Sequence, residues 1–467
     1  MNSDKSVHLM AIKNLIKKHH LKIYEDYCTF LSFPSVSSEI EFKQDILACA
    51  DWLVQYIKDL GLHVELWETT GHPTIFASSQ PIDPTKPTLL IYNHYDVQPI
   101  DPIEEWKTPP FTPTHKDGKV YARGAQDNKG QCFYVLQAIK LLLEHQNSLP
   151  INIKLCIEGE EEMGSKGLSE LIKSKKKELK ADYLAIVDLG LRDSRVPALT
   201  MGIRGLVSLE VEVIGSHNDL HSGSHGGIVT NPIHALTELL ASLRDDKGKI
   251  TIPGFYDQVL PMPLEERAKI SFNFDMNDYQ ILTGAYPVGG EKDYSALERA
   301  WIRPTLEING IWGGYTGKGI KTIIPSKAHA KISCRLVPNQ EPDYIGELVA
   351  NFLRNNAPQG VQVNTCIYPG WGKAVRTSYN SNIIKAFSRA FEEIFELPCE
   401  FILEGASIPV AAELAEACGG EMVLLGLGLA TDQIHAPNEH FDLDRLEKGI
   451  LIMSRAFELL KNTQDKF

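Results

Sequence analysis

The sequence lacks the features that mark membrane and secreted proteins. No run of about 20 apolar residues occurs, so nothing in it predicts a membrane-spanning helix. The N-terminal segment MNSDKSVHLMAIKNLIKKHH has no long apolar stretch after its charges, so we expect no signal peptide. The eight cysteines are scattered and form no CxxC pair, as is typical of thiols in a reducing compartment. We therefore expect a cytoplasmic protein.

The chain is also poor in positive charge. It has 47 Lys and Arg against 60 Asp and Glu, which gives a formal net charge of -13. Its one basic tract, at 173–180, predicts a solvated helix face, so nucleic acid is not an expected partner. No G-x-S-x-G segment is present, which disfavours a serine hydrolase. A hydrophobic fraction of 43% and a charged fraction of 23% are typical of a globular protein, and the length predicts two or three domains.

Helical and strand patterns alternate over the first 200 residues. Several apolar runs there are short and nearly continuous, which predicts strands buried on both faces of a sheet. Such alternation indicates an α/β domain with helices flanking the sheet. Helices are predicted at 42–61 and 130–145, and strands at 63–68, 87–93, 151–159 and 182–188.

The pattern changes near residue 205. Residues 207–214 alternate strictly between apolar and polar side chains, as in an antiparallel sheet with one wet face. The helix–strand alternation of the first part returns after about 375. We therefore predict a discontinuous three-layer α/β domain with a mixed sheet between helices, formed by 1–204 and 376–467. An α+β domain at 205–375 would be inserted into it.

Acids and histidines stand where the predicted strands end, and functional residues in open α/β sheets gather at the carboxyl ends of strands. Taken singly, each has an ordinary explanation, such as a helix N-cap for an aspartate or a solvated loop for adjacent acids. The candidates are His94 and Asp96 after 87–93, Asp127 before 130–145, the acids of 158–162 after 151–159, Asp188 at the end of 182–188, and His435 in a later polar loop.

Together these candidates indicate a metal site. Two imidazoles with at least three carboxylates favour zinc, manganese or cobalt over calcium, which takes oxygen ligands only. If one carboxylate is shared between two ions, five residues supply three ligands to each ion. Positions then remain open for water and substrate, as in a catalytic site.

Several segments resemble, in order along the chain, the family of dinuclear-zinc exopeptidases and deacylases that includes carboxypeptidase G, aminoacylase and acetylornithine deacetylase. They are most similar to its branch of cytosolic non-specific dipeptidases and carnosinases. The segments are HYDVQP (94–99), YARGAQDNKG (121–130), EGEEEMGS (158–165), DLHSG (219–223), SCRLVPN (333–339), GASIPV (405–410) and IHAPNE (434–439).

The resemblance implies a set of metal ligands. His94 and Asp188 would bind one ion, Glu162 and His435 would bind the other, and Asp127 would bridge both. The ions would be two zinc ions, with manganese and cobalt as alternatives. The peptide bond after Asp127 is expected to be cis.

The resemblance also implies the remaining roles. Asp96 would support His94, and Glu161 would be the general base. The inserted domain would be a lid that forms a homodimer, with His221 reaching the active site of the partner subunit and stabilising the oxyanion. Arg335 would bind the C-terminal carboxylate of the substrate, and Thr322 and Ser407 would be further substrate contacts. The chain departs from the family at Asn128, where a second aspartate is common, and at Ala406, where glycine is common.

The predicted activity is metal-dependent hydrolysis of the peptide bond of dipeptides or short peptides. A water activated by two ions would attack the carbonyl, with Glu161 accepting its proton. An N-acyl amino acid deacylase would use the same site, and a non-catalytic binding protein on the same fold is a third, less favoured interpretation. A dipeptidase needs a substrate with a free amine, whereas a deacylase needs a blocked one.

Overall fold

A computed structural model of the chain describes residues 2–370 and 372–461. It contains helices and strands in the mixture that the sequence predicts. The α-helices are α1 Asn2–Leu31, α2 Lys43–Asp59, α3 Lys129–Gln146, α4 Lys166–Ile172, α5 Lys176–Leu179, α6 Ser222–His225, α7 Pro232–Ser242, α8 Leu264–Arg267, α9 Met276–Thr283, α10 Ala296–Trp301, α11 Pro342–Asn355, α12 Asn382–Phe395, α13 Ala411–Cys418 and α14 Leu443–Lys461.

The strands alternate with these helices in the first part of the chain and again near its end. They are β1 His63–Trp67, β2 Thr74–Ser78, β3 Thr88–His94, β4 Thr114–Lys116, β5 Lys119–Tyr121, β6 Asn152–Glu158, β7 Tyr183–Val187, β8 Ala198–Ile203, β9 Gly205–Ile214, β10 Leu220–His221, β11 Thr305–Gly313, β12 Ile323–Ile324, β13 Lys327–Leu336, β14 Gln362–Ile367, β15 Val375–Arg376, β16 Glu400–Glu404, β17 Glu421–Leu425 and β18 His440–Asp442.

The chain divides into two compact units. The first comprises Met1–Met201, Thr377–Ile402 and Val410–Phe467, and the second comprises Gly202–Arg376 and Leu403–Pro409. The short segment Leu403–Pro409 therefore groups with the second unit, whereas the sequence pattern assigned it to the first domain. The pattern missed it because the segment lies inside a helix–strand alternation that otherwise belongs to the first unit.

A mixed sheet forms the centre of the first unit, with the strand order β1-β2-β6-β3-β7-β17-β8. Strands β6, β3, β7 and β17 run parallel to one another, while β2 pairs antiparallel with β1 and β6, and β8 pairs antiparallel with β17. Strands β3, β6 and β7 are almost wholly buried, because helices cover both faces of a sheet of this kind. The predicted mixed sheet is confirmed.

Two groups of helices accompany this sheet. Helices α1, α3, α12 and α14 pack on one another, with α3 against β3 and α12 against β17. Helices α4, α5 and α13 form the other group, and α13 packs against β7. Helix α1 was not predicted from the sequence, although its buried side chains recur at helical spacing, at Ile12, Ile16, Ile23, Tyr27 and Phe30.

The second unit contains an antiparallel sheet with the strand order β11-β13-β9-β14. Side chains of β9 alternate between buried and half-buried along the whole strand, as the strict apolar–polar alternation predicted. Helices α7 and α11 cover the apolar face, where Val207, Leu209 and Val211 pack with Leu236 and Val349. Among the described residues, no helix is long and apolar enough to cross a membrane.

Candidate metal centre

Four of the five candidate ligands follow the carboxyl ends of four adjacent strands. Strands β6, β3, β7 and β17 lie side by side and run parallel, so the loops that leave them emerge at one edge of the sheet. His94 ends β3, Asp188 follows β7, Glu161 and Glu162 lie in a 3₁₀ turn after β6, His435 lies in the loop after β17, and Asp127 directly precedes the N-cap of α3.

Asp127 lies at the centre of the cluster. Its Oδ1 is 3.2 Å from His94 Nε2, and its Oδ2 is 2.9 Å from His435 Nε2. His94, Asp127 and Asp188 form one group of possible ligands, and Asp127, Glu162 and His435 form another, with the ligand atoms of each group within 4.8 Å of one another. The structure thus brings together all five residues that were predicted to bind metal, in two groups that share Asp127.

A buried carboxylate anchors the loop that carries Asp127. Glu439 accepts backbone N–H bonds from Gly124 at 2.9 Å, Gln126 at 3.0 Å and Asp127 at 3.1 Å, and it accepts a bond from Arg123 Nη1 at 2.8 Å. The side chains of both Glu439 and Arg123 are 1% exposed. Because Glu439 lies only four residues after His435, this one side chain connects the loops that present two candidate ligands.

The next residue, Asn128, connects the ends of two strands. The Asp127–Asn128 peptide bond is cis, as expected. The Asn128 amide donates to Val187 O at 2.9 Å and to Asp188 Oδ1 at 2.6 Å. Its Oδ1 accepts from Asn93 Nδ2 at 2.7 Å and from the backbone N–H of His94 at 3.3 Å. A neutral amide meets both demands at this position, since it donates and accepts.

Asp96 contacts both His94 and the acidic turn. Its Oδ1 lies 3.3 Å from His94 Nδ1, which leaves His94 Nε2 facing the cluster. Its two oxygens also accept the backbone N–H groups of Glu161 at 3.2 Å and Glu162 at 3.1 Å. Asp96 therefore has two roles. It orients His94, and it holds the backbone of the turn that carries Glu161 and Glu162.

The adjacent acids after β6 have different surroundings. The Glu161 side chain is 13% exposed, and its Oε2 lies 4.0 Å from His94 Nε2. Glu160 instead accepts bonds from the backbone N–H groups of His72 and Gly167, which indicates a structural role. Glu158 is buried and accepts from Tyr92 and Ser165, and burial raises its pKa to about 8.

The charges of the cluster fit bound cations. Burial raises the pKa of Glu161, Glu162 and Asp188 above the ordinary range, since a carboxylate loses hydration there. Burial acts in the same direction on Asp127, but bonds from His435 and His94 hold its pKa below the usual range. Glu162 Oε1 is buried without a hydrogen-bond partner. Cations would neutralise these acids and use that free oxygen, so the residues present fit divalent metal ions.

The predicted substrate residues lie in the second unit. Arg335 on β13 is half-buried, and its Nη1 donates to Ser407 Oγ at 2.8 Å. His221 ends β10 and is exposed, with its Nδ1 accepting from Gly223 N at 3.0 Å. The exposed Thr322 accepts a backbone bond from Ser222 at 3.0 Å, beside the β10–β12 pair. The structure thus joins Arg335 to Ser407 and brings Thr322 next to the segment of His221.

Three residues of the first unit that contact the cluster were not predicted from the sequence. They are Glu439, the side chain of Asn128, and Gln98, whose Nε2 donates to Glu162 Oε2 at 2.7 Å. Each stands inside a segment that had already been singled out. Sequence spacing does not reveal which side chain of such a segment turns toward a ligand, so these contacts required the tertiary structure.

Comparison with known proteins gives consistent similarities over most of the chain. Residues 90–459 match the model of peptidase family M20/M25/M40. The chain is 33% identical to the Cys-Gly metallodipeptidase dug1 of Schizosaccharomyces pombe, over 90% of this chain and 91% of the other. The solved structure of the M20 family metallo-carboxypeptidase Sso-CP2 from Sulfolobus solfataricus is 35% identical with a TM-score of 0.85, covering 94% and 99% of the two chains.

A human relative has a similar fold. The crystal structure of human carnosine dipeptidase 1 is 30% identical with a TM-score of 0.82, and the match covers 97% of this chain and 98% of the other. The family match, these identities and the two groups of ligands around Asp127 agree with one another. The chain is a member of the M20/M25/M40 family of peptidases.

Proposed function

We propose that this chain is a dinuclear metallodipeptidase that hydrolyses the peptide bond of dipeptides or very short peptides. The observation that carries the proposal is the pair of ligand groups that share Asp127. Relatives at 30% identity or more support the substrate class, since they are named Cys-Gly metallodipeptidase and Beta-Ala-His dipeptidase.

We assign the two ions to the five clustered residues. His94 and Asp188 would hold one ion, Glu162 and His435 the other, and Asp127 would contact both. The mixture of imidazole and carboxylate favours zinc, with manganese or cobalt as alternatives. Ions bound there would supply Lewis-acid activation of water and of the scissile carbonyl.

Glu161 is our candidate for the general base. Its backbone N–H is bonded to Asp96, and its carboxylate faces the cluster at 4.0 Å from His94 Nε2. The base takes a proton from the attacking water and then passes it to the leaving amine. Burial favours proton capture by Glu161, because it raises the pKa of this carboxylate.

Residues of the second unit would recognise the substrate. Arg335 offers a planar guanidinium suited to the C-terminal carboxylate of a peptide, and Ser407 orients it through a 2.8 Å bond. Thr322 would add a further contact. In the neutral His221 ring, acceptance by Nδ1 from Gly223 N places the proton on Nε2. Nε2–H could then donate to the oxyanion in the active site of a partner subunit.

We also propose a homodimer that forms through the second unit. Strand β11 is at the edge of its sheet and has exposed apolar side chains, with Ile308 at 41%, Ile311 at 54% and Trp312 at 42%. Edge strands of this kind are prone to pair with another chain.

A cytoplasmic location is consistent with eight cysteines that are all free.

The test is hydrolysis of a panel of substrates by metal-stripped protein, with and without added zinc or manganese. The panel contains free dipeptides, matching N-acetyl amino acids and longer peptides, since one similar structure is described as a metallo-carboxypeptidase. We expect metal-restored cleavage of free dipeptides. Cleavage confined to acetylated substrates would indicate a deacylase, and cleavage of longer peptides from the carboxyl end would indicate a carboxypeptidase.

Replacement of the base separates catalysis from metal binding. A Glu161→Gln variant should bind metal as the unchanged protein does but lose nearly all turnover, because glutamine cannot accept the proton. Retained turnover would contradict the assignment of Glu161. Lack of activity in both the unchanged protein and the variant, on every substrate, would instead contradict the proposed enzyme.

A further inference from the structure

Glu162 and Asp188 each belong to only one of the two ligand groups. Each of these carboxylates accepts a hydrogen bond from a side-chain amide. Gln98 Nε2 donates to Glu162 Oε2 at 2.7 Å. Asn128 Nδ2 donates to Asp188 Oδ1 at 2.6 Å. Because a carboxylate only accepts hydrogen bonds, the NH₂ end of each amide must face it. The two amides are therefore divided between the two groups, one to each.

The shared carboxylate is held differently. The two oxygens of Asp127 face the imidazoles of His94 and His435, while Glu439 accepts its backbone N–H. A perturbation of Asp127 would therefore affect both groups at once. Loss of one amide would affect only the group whose carboxylate it contacts.

We propose that Gln98 and Asn128 are positioning residues that set the affinities of the two ion sites independently. Gln98 would act on the ion held by Glu162 and His435, and Asn128 on the ion held by His94 and Asp188. The inference deepens the proposed function and rests on the dinuclear site assigned there.

The physical basis is orientation of each carboxylate before an ion arrives. The bond from Gln98 restricts rotation of Glu162 and uses Oε2, while Oε1 is buried and has no hydrogen-bond partner. Oε2 also lies 3.4 Å from His435 Nε2, so the bond from Gln98 fixes the Glu162 oxygen that faces the other ligand of this group. Partners that orient a metal ligand in this way typically contribute about 10–100-fold to metal affinity.

The two amides differ in how cleanly they can be removed. Asn128 also bonds Val187 O, Asn93 Nδ2 and the backbone of His94, so its replacement disturbs two strand ends. Gln98 is only partly buried, and its bond to Glu162 can be removed by the similarly sized methionine. Gln98→Met is therefore the primary variant.

The chain offers a matched control. Gln55 Nε2 donates to Asp59 Oδ1 at 2.7 Å, the same kind of bond at the same length, but on the exposed surface of α2. Gln55→Met removes an amide–carboxylate bond that has no connection to the cluster. Its metal binding should equal that of the unchanged protein.

The experiment is calorimetric titration of the metal-stripped full chain with Mn²⁺ and, separately, Zn²⁺. The unchanged protein should bind two ions. Gln98→Met should weaken one binding step by about 10–100-fold and leave the other within about threefold. Asn128→Leu should weaken the other step, with circular dichroism and a thermal melt showing that the variant is folded.

Equal weakening of both steps by Gln98→Met would overturn the proposal, as would binding indistinguishable from that of Gln55→Met. A failure of the proposed function looks different, because the unchanged protein itself would then bind fewer than two ions. If Asn128→Leu does not fold, Gln98→Met against Gln55→Met still decides whether a side-chain amide sets the affinity of one ion site alone.

Discussion

The cost of replacing Glu439 can be predicted, because its carboxylate is buried and both of its oxygens accept hydrogen bonds. A Glu439→Gln variant keeps the shape of the side chain but replaces one acceptor oxygen by an NH₂ group. That group must face either the N–H groups of Gln126 and Asp127 or those of Arg123 and Gly124, since the two oxygens divide these donors between them. Donor then opposes donor, and Arg123 loses its charged partner.

The size of the effect follows from burial. Removing one partner of a buried ion pair typically costs about 3–5 kcal/mol, because the remaining charge is uncompensated. Arg123 and Glu439 belong to that class, with side chains 1% exposed. We expect a loss of about 3–5 kcal/mol in the free energy of unfolding of the metal-free first unit, together with weaker binding of both ions, because Asp127 is shared.

Urea unfolding of the metal-stripped protein measures this loss, and hydrogen exchange followed by mass spectrometry should show faster exchange at residues 124–127. Glu416→Gln is the control, since Glu416 forms a 3.2 Å ion pair with Lys176 while 78% exposed, and such surface pairs contribute about 0–1 kcal/mol. If Glu439→Gln costs no more than this control, Glu439 does not anchor the Asp127 loop.

Three further predictions concern the cluster and the second unit. Asp96→Asn should lower kcat and metal affinity by about 10–100-fold while the protein stays folded. The reason is that the variant loses an acceptor for His94 or for the acidic turn. Unchanged metal affinity, measured by calorimetry, would contradict this role of Asp96. Nearby acids outweigh burial and raise the pKa of His94, so the proton that His94 holds must leave before metal binds. Metal binding at pH 7 should therefore release protons, and metal affinity should fall as the pH falls. Calorimetry in buffers of different ionisation enthalpy detects that release, and identical heats would refute it. His221→Ala should lower kcat about 10²–10³-fold without changing metal binding, if it is an oxyanion donor; a change in KM alone, in steady-state assays, would assign it to substrate binding instead.

Much of the fold was predictable because its signals are local. The apolar run at 87–93 predicted a buried strand, and β3 is Thr88–His94 with almost every residue buried. The strict alternation at 207–214 predicted an antiparallel strand with one buried face and one face toward solvent, and β9 has that burial pattern. Periodicity reports which faces of an element are buried, so it identifies such elements directly.

The long helix α1 and the segment Leu403–Pro409 were not predicted. Helix α1 carries a single apolar stripe among many charged residues, and it precedes the alternation of helices and strands that marks the first domain. The grouping of Leu403–Pro409 with the second unit depends on contacts such as the bond from Arg204 Nε to Gly405 O at 3.0 Å. A contact between residues about 200 positions apart leaves no local periodicity.

The sequence by itself determined the types of residue available for chemistry and the strand ends that present them, because hydrophobic periodicity and motif order are properties of the linear chain. Only the tertiary structure decided that Asp127 is shared between two groups of ligands, that Glu439 holds its loop, and that Gln98 and Asn128 each contact a different carboxylate. These relations depend on which side chains turn toward one another after distant segments pack, and on distances of about 3 Å that no spacing in the sequence encodes.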